Sequence, residues 1–331
     1  MQKKIIALAV AGLMSGAAFA QSNVQIYGIV DAYYARSTAT DADSVTSING
    51  GGQSGSRIGF KGTEDLGNGL KAMFVLEYGL NNDVDAGVGE NLARQQLIGL
   101  TGSFGTFVAG RAQTAGYDFA CGTSTLAGSA LDSQAKLGVS TLLTCGGAGR
   151  QNNAVAYISP SFGGLTFAVN HARVTEAGND ANGTLLSASY ANGPLKAAVT
   201  WGGIDFKGAP DSDEWGVRAS YDFGVATVGG HWQNSDVGNT DDDKWQIFGA
   251  IPVSANGAVH LQYAANNMDG DDNDSKAWTI AYTHSLSKRT NVYTGYTRVT
   301  NEDGVARAAG FATPSAGGNS GVFALGLRHS F

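Results

Sequence analysis

Arginine stays charged at every physiological pH, and its planar guanidinium matches carboxylates and other oxyanions in a fixed geometry. Two arginines of this 331-residue chain sit in short alternating runs that fix where they point. Arg57 shares parity with Gly59 and Lys61 while Ile58 and Phe60 face away; Arg150 shares parity with Asn152 and Ala154 while Val155 and Tyr157 face away. Strand side chains alternate between two faces, so both arginines belong to a watery face. Arg94 and Arg111 are further candidates, Arg94 on a run that stops alternating cleanly past Gln96. Fixed cations lining a water path set a field across it and bias which ions pass. The opposing carboxylates would come from the stretch between about residues 112 and 149, the longest without strand alternation. It holds two acids, Asp118 and Asp132, and one base, Lys136. A loop that long inside a compact fold is usually functional, and folded into a channel it would present Asp118 or Asp132 opposite the arginines.

The same stretch carries the chain's two cysteines, Cys121 and Cys145. In an oxidising compartment they are expected to form a disulfide that holds the loop's shape, a closure worth about 3 kcal/mol in the chain-entropy picture. Other constellations fail. DGDDND at 269–274 invites a calcium reading, but an EF-hand beginning at Asp269 needs Glu at its twelfth position and has Ile280. A solvated loop, or a loose divalent contact near lipopolysaccharide, fits better. The five histidines lie in separate runs without ligand spacing, so no metal site and no cofactor are expected. No GxSxG or comparable serine setting supports an enzyme.

The elements that must position these residues are strands. From residue 23 onward, runs of about 8 to 12 residues alternate in polarity between Gly, Asn, Asp and Ser clusters. In LKAMFVLEY, Leu70, Ala72, Phe74, Leu76 and Tyr78 share one face and Lys71, Met73, Val75 and Glu77 the other. Burying Lys71 and Glu77 in a core would be costly, whereas a water-filled interior accepts them. The last run puts Phe323, Leu325, Leu327, His329 and Phe331 opposite Val322, Ala324, Gly326, Arg328 and Ser330. Sixteen such runs, joined by connections that alternate short and long, predict an all-β, 16-stranded antiparallel transmembrane barrel around an aqueous channel. The longer polar connections include those between the runs at 23–36 and 56–63 and between 225–235 and 243–253.

Residues 1–20 carry Lys3 and Lys4, an apolar run, and Ala18-Phe19-Ala20. They read as a signal peptide, leaving one barrel domain over residues 21–331. No later stretch approaches 18 consecutive apolar residues, which excludes helical spans. Hydrophobic residues make up 43% and mean hydropathy is −0.10, values a soluble protein would share, because lumen and lipid faces average out. The net charge is −7; loss of Lys3 and Lys4 takes 21 basic residues to 19 against 28 acidic ones, a charge of −9. Nucleic acid is therefore an unsuitable partner.

VQIYGIVDA at 24–32, SRIGFKGTEDLGNGLKAMFVLE at 56–77, RQQLIGL at 94–100, YANGPL at 190–195 and the terminal GLRHSF together resemble the trimeric general porins of beta-proteobacterial outer membranes, over the length of the chain beyond residue 20. The resemblance implies a homotrimer with one pore per subunit and a third outer loop folded inward. It puts Arg57, Arg94 and Arg150 where that family carries an arginine ladder, with Arg111 beside them. Phe331 matches the terminal aromatic read by the outer-membrane assembly machinery. The expected function is diffusion of ions and small hydrophilic solutes across a Gram-negative outer membrane, with weak anion selectivity. A substrate-specific porin and a structural or adhesive barrel are the alternatives; the former is disfavoured because lumen positions are mostly small or polar rather than aromatic.

Overall fold

The structure, a computed structural model, describes residues 24–84, 93–138, 140–174, 180–208 and 210–331. The signal-peptide segment lies outside these. Seventeen strand segments follow one another: β1 (Gln25–Ala39), β2 (Ala42–Gly50), β3 (Arg57–Gly67), β4 (Leu70–Gly79), β5 (Ala93–Gly102), β6 (Gly105–Gln113), β7 (Arg150–Ile158), β8 (Leu165–Val174) and β9 (Ala181–Asn192). Then come β10 (Leu195–Phe206), β11 (Ser212–Asp222), β12 (Thr227–Val237), β13 (Thr240–Pro252), β14 (Gly257–Asn267), β15 (Ser275–Ser285), β16 (Thr290–Asn301) and β17 (Ser320–Ser330). Between β6 and β7 lie a short α-helix, α1 (Ala115–Ala120), and a 3-10 turn, Gln134–Lys136.

Each strand from β3 to β17 pairs antiparallel with the next, and β17 pairs with β1 from Ile29↔Ser330 to Ala39↔Ser320. The ring closes because β1 also pairs with both β2 and β3. Those two segments make one wall strand, so the barrel has 16. Closure leaves no strand of the described residues as a free edge of the sheet, whose unpaired N–H and C=O groups hydrocarbon could not satisfy.

The alternation is seen directly. On β11, Ser212, Glu214 and Gly216 are buried while Asp213, Trp215 and Val217 are exposed. On β17, Ala324 and Gly326 are buried while Phe323, Leu325 and Leu327 are exposed. The exposed apolar set is the outer wall. Neighbouring strands carry aromatics at one level, Trp201 beside Trp215, Trp245 beside Tyr263 and Trp278 beside Tyr296, the belt that suits a membrane interface.

Two predicted loops are instead strand. Residues 42–50 form β2, and β12 and β13 run to Val237 and from Thr240, leaving only a tight turn. ADSVTSING and TDDDK lack apolar alternation, and they are strand because backbone pairing with β1 and β12 holds them in the sheet.

Ile280, midway along β15, is 49% exposed on the outer wall. Ile280→Arg is expected to destabilise the barrel in lipid by about 2–4 kcal/mol, read as a lower urea midpoint for refolding into vesicles.

Candidate functional site

Residues 114–149 enter the barrel and are fastened to its inner wall. The segment opens with α1, where the Thr114 side chain accepts a hydrogen bond from Tyr117 N at 3.2 Å. Ala115, Gly116, Phe119 and Ala120 form its buried face. The Phe119 ring rests on Gly216 of β11, leaving no space there for a Cβ. Tyr117 and Asp118 occupy the other face. Further along, Glu214, fully buried on β11, accepts from Thr141 N at 2.6 Å, Leu142 N at 3.0 Å and Leu143 N at 2.9 Å. It also accepts from the Ser140 and Thr141 hydroxyls. Gln262 Oε1 accepts from Ser133 N, while Asn266 and Gln233 donate to the carbonyls of Leu137 and Leu143. A loop's backbone groups must be paired when buried, and here the wall's polar side chains supply the partners. Cys121 and Cys145 are joined in a disulfide across the loop.

Facing this loop, four arginines converge on one level of the wall. Arg57 and Arg150 are the first residues of β3 and β7. Arg94 lies in a bulge: the register passes from Glu77↔Gln95 to Tyr78↔Ala93 and skips it. Arg111 faces a second, on β7, where Gly110↔Ala154 is followed by Ala112↔Gln151 and Asn152 and Asn153 lie opposite it, while it pairs with Gln96 of β5. A bulge re-aims a side chain that strict alternation would send elsewhere. Each of the four therefore sits at a strand end, in a bulge or opposite one. Arg150's lumen placement follows from its strand-end position, since the bulge at Asn152 and Asn153 breaks the parity it was expected to share with Ala154.

Glu77 is one carboxylate among them. It is 5% exposed and takes Arg94 Nε at 2.7 Å on Oε1, with Arg57 Nε 3.9 Å from Oε2. The Tyr27 hydroxyl donates to Oε2 at 3.0 Å. Arg111 donates from Nε to Ala93 O at 2.7 Å and from Nη1 to Asn152 Oδ1 at 2.6 Å. Arg150 donates from Nη1 to Gly146 O at 3.0 Å and lies 4.4 Å over the Tyr117 ring. Neutral carbonyls, an amide and an aromatic face orient these cations without cancelling them. A niche of about 340 Å³ opens among Arg94, Arg111 and Arg150, and Asp83 lines it too. Four guanidinium groups against two carboxylates, Glu77 and Asp83, leave a positive excess.

The two predicted loop acids are not brought to the arginines together. Asp118 is exposed, and the positive charge it feels is that of Arg218 on β11. Asp132 is a correction: it is fully buried, its Oδ2 accepting from Gly128 N at 2.9 Å and Gln134 Nε2 at 3.1 Å. Burial pushes its pKa above the usual carboxylate range, opposed by these bonds and the charge of Lys244. It braces the loop and does not face the channel. Within DGDDND, Asp274 accepts from Met268 N, and Asp242 of the neighbouring strand accepts from Asp269 N. Asp241, Asp269, Asp271 and Asp272 are exposed at the rim. Sequence reasoning placed Glu77 on the watery face without joining it to the arginines. It missed Glu214, whose parity opposite Trp215 was the available signal.

The Gram-negative porin family model matches residues 7–304. The chain belongs to the Gram-negative porin family. The porin is 34% identical to outer membrane porin protein 32 of Delftia acidovorans over 365 aligned residues, covering all of both chains. The solved anion-selective porin from Comamonas acidovorans superposes with a TM-score of 0.80 at 30% identity, over 94% of this chain and all of that one. The trimer form of OmpT from Vibrio cholerae, 16% identical with a TM-score of 0.67 over 94% of this chain and 99% of that one, shares the fold. This porin is an outer-membrane diffusion channel of a Gram-negative bacterium, which sets the enzyme class aside.

Glu214→Ala removes the acceptor for three loop amides, and hydrogen bonds to a charged group are worth about 1.5–3 kcal/mol each. Larger single-channel steps with noisier open current are expected, while the far-ultraviolet β signal stays. Glu77→Gln is expected to raise anion over cation permeability, measured as a larger zero-current potential of the anion sign.

Proposed function

We propose that the porin is weakly anion-selective and that Arg57, Arg94, Arg111 and Arg150 form its constriction, passing small hydrophilic solutes with a preference for negative charge. The observation that carries this reading is the convergence of four guanidinium groups, two of them on Glu77 and three lining a niche with Asp83, where the inward loop stacks Tyr117 under Arg150. Arginine cannot be neutralised at physiological pH, so the excess is permanent. The exposed aspartates at the rim act the other way, but exposed charges beyond about 8 Å are largely screened at physiological salt. Fixed charge at the narrowest level outweighs them. Asp118, exposed on α1 and influenced by Arg218, supplies the negative side of the transverse field.

The solvated interior and lipid-compatible exterior also support a homotrimer with one pore per subunit, since Ile26, Val30, Ile98 and Leu100 put apolar surface on the outer face of β1 and β5. Phe331 completes the seam, with reciprocal backbone bonds to Gly28 at 3.1 Å, and its exposed ring suits recognition by the outer-membrane assembly machinery. The rim aspartates suit divalent-bridged contact with lipopolysaccharide.

The test is a zero-current potential across a tenfold KCl gradient in a planar bilayer. The expected sign is that of anion preference, shrinking by about half or more in Arg57→Ser and Arg150→Ser. A cation-signed potential indifferent to both substitutions would assign selectivity to the rim instead.

A further inference from the structure

The wall strand made of β2 and β3 is broken at the level of the arginines. β1 pairs with β3 up to Ile29↔Arg57 and with β2 from Ala32↔Gly50. Between those pairs, Val30 and Asp31 of β1 face six residues, 51–56, so four more residues lie there than the ladder can use. The surplus turns inward. Gly52 lies against the rings of Tyr33 and Tyr293, so closely that a Cβ would collide with both, and its carbonyl accepts from Ala130 N of the inward loop at 2.7 Å.

Asp31 holds this turn. Its side chain is fully buried, with Oδ2 accepting from Gln53 N and Ser54 N at 2.8 Å each and Oδ1 from the Tyr293 hydroxyl at 2.6 Å. Its main chain accepts from Gly51 N at 2.8 Å and from Ser56 Oγ at 3.1 Å. A carboxylate buried so completely is costly unless its oxygens are satisfied; the turn satisfies Oδ2 and the Tyr293 hydroxyl satisfies Oδ1. The far side of the turn meets the cations: Arg328 Nε donates to Ser54 Oγ at 2.8 Å, and Gly55 is exposed beside Arg94, whose Nη1 would lie 3.3 Å from a Cβ on Gly55.

We propose that residues 51–56 are a second lip of the constriction, that Asp31 is the positioning residue holding it inward, and that lip and loop together set the size limit for solutes. The loop narrows the channel from one side, and the lip narrows it from the wall that carries Arg94 and Arg328. This rests on the reading that the arginine level is the constriction. Size exclusion is measured separately from ion preference, so the two ideas fail separately.

Gly55→Cys places a thiol at the lip, while the two native cysteines are held in their disulfide. In planar bilayers, a bulky neutral methanethiosulfonate reagent is expected to cut its conductance to about half or less. It should also shrink the largest neutral polyethylene glycol that enters, with the sign of the zero-current potential kept. Complete modification by mass spectrometry with conductance and polymer limit unchanged would overturn the lip. Asp31→Ala is expected to admit larger polymers and to add open-channel noise without reversing ion preference. A folded Asp31→Ala channel with the parent's polymer limit would remove Asp31 from the role; if that variant does not assemble, Gly55→Cys decides alone. A cation-signed potential in the unmodified channel overturns the anion reading and leaves the lip to be judged by the polymer limit.

Discussion

A backbone amide in hydrocarbon has no partner except another part of the chain, and this constraint governs the molecule. It closes the ring from β1 through β17 and back. It also confines irregular backbone to places where water or polar side chains can take over the lost bonds. The departures from the ladder near the arginines are the break at residues 51–56, the bulge at Arg94, the bulge at Asn152 and Asn153 opposite Arg111, and the start of β7 at Arg150. The site exists because regular pairing is suspended there. The wall beyond it, from β11 to β15, keeps an unbroken register and serves as the anvil against which the loop is fixed.

The loop and the wall exchange different kinds of support. The wall gives hydrogen-bonding side chains, led by Glu214, Gln262 and Asn266, to a segment with little regular structure of its own. The loop in return covers those side chains, which would otherwise be polar groups facing open water. Small buried clusters, such as Phe119, Leu142, Leu143 and Leu185, fill the space between the two. Shape at the channel's waist is thus set by directed hydrogen bonds between loop and wall, and charge is set by the residues left uncompensated beside them.

Much of this was legible in the residues. Period-two alternation located the strands of the barrel, because lipid on one side and water on the other impose opposite chemistries on successive positions. The same rule read Arg57 and Glu77 onto the watery face. It lost β2, whose side chains do not alternate, and it reached Arg150 by a parity that the bulge at Asn153 interrupts. Bulges are invisible to periodicity because they are departures from it. Asp132 was misplaced for a different reason: a carboxylate in a polar loop looks solvated until the loop is seen docked, with Gln134 and Gly128 around it. Which wall residue meets which loop residue, as in Glu214 with Leu143, depends on contacts 71 residues apart that no local pattern encodes.

The seam between β1 and β17 joins segments almost the whole chain apart, Ile29 to Ser330. Contacts so remote in sequence are slow to form, because the entropy of bringing the ends together is lost before pairing returns anything. Until the last strand arrives, the growing sheet carries two unpaired borders, each a template for sticking to a neighbour. Maturation of this channel is therefore a question of timing. The chain must be kept unassociated until its final segment is at hand, and the step that makes it watertight is also the last one it takes.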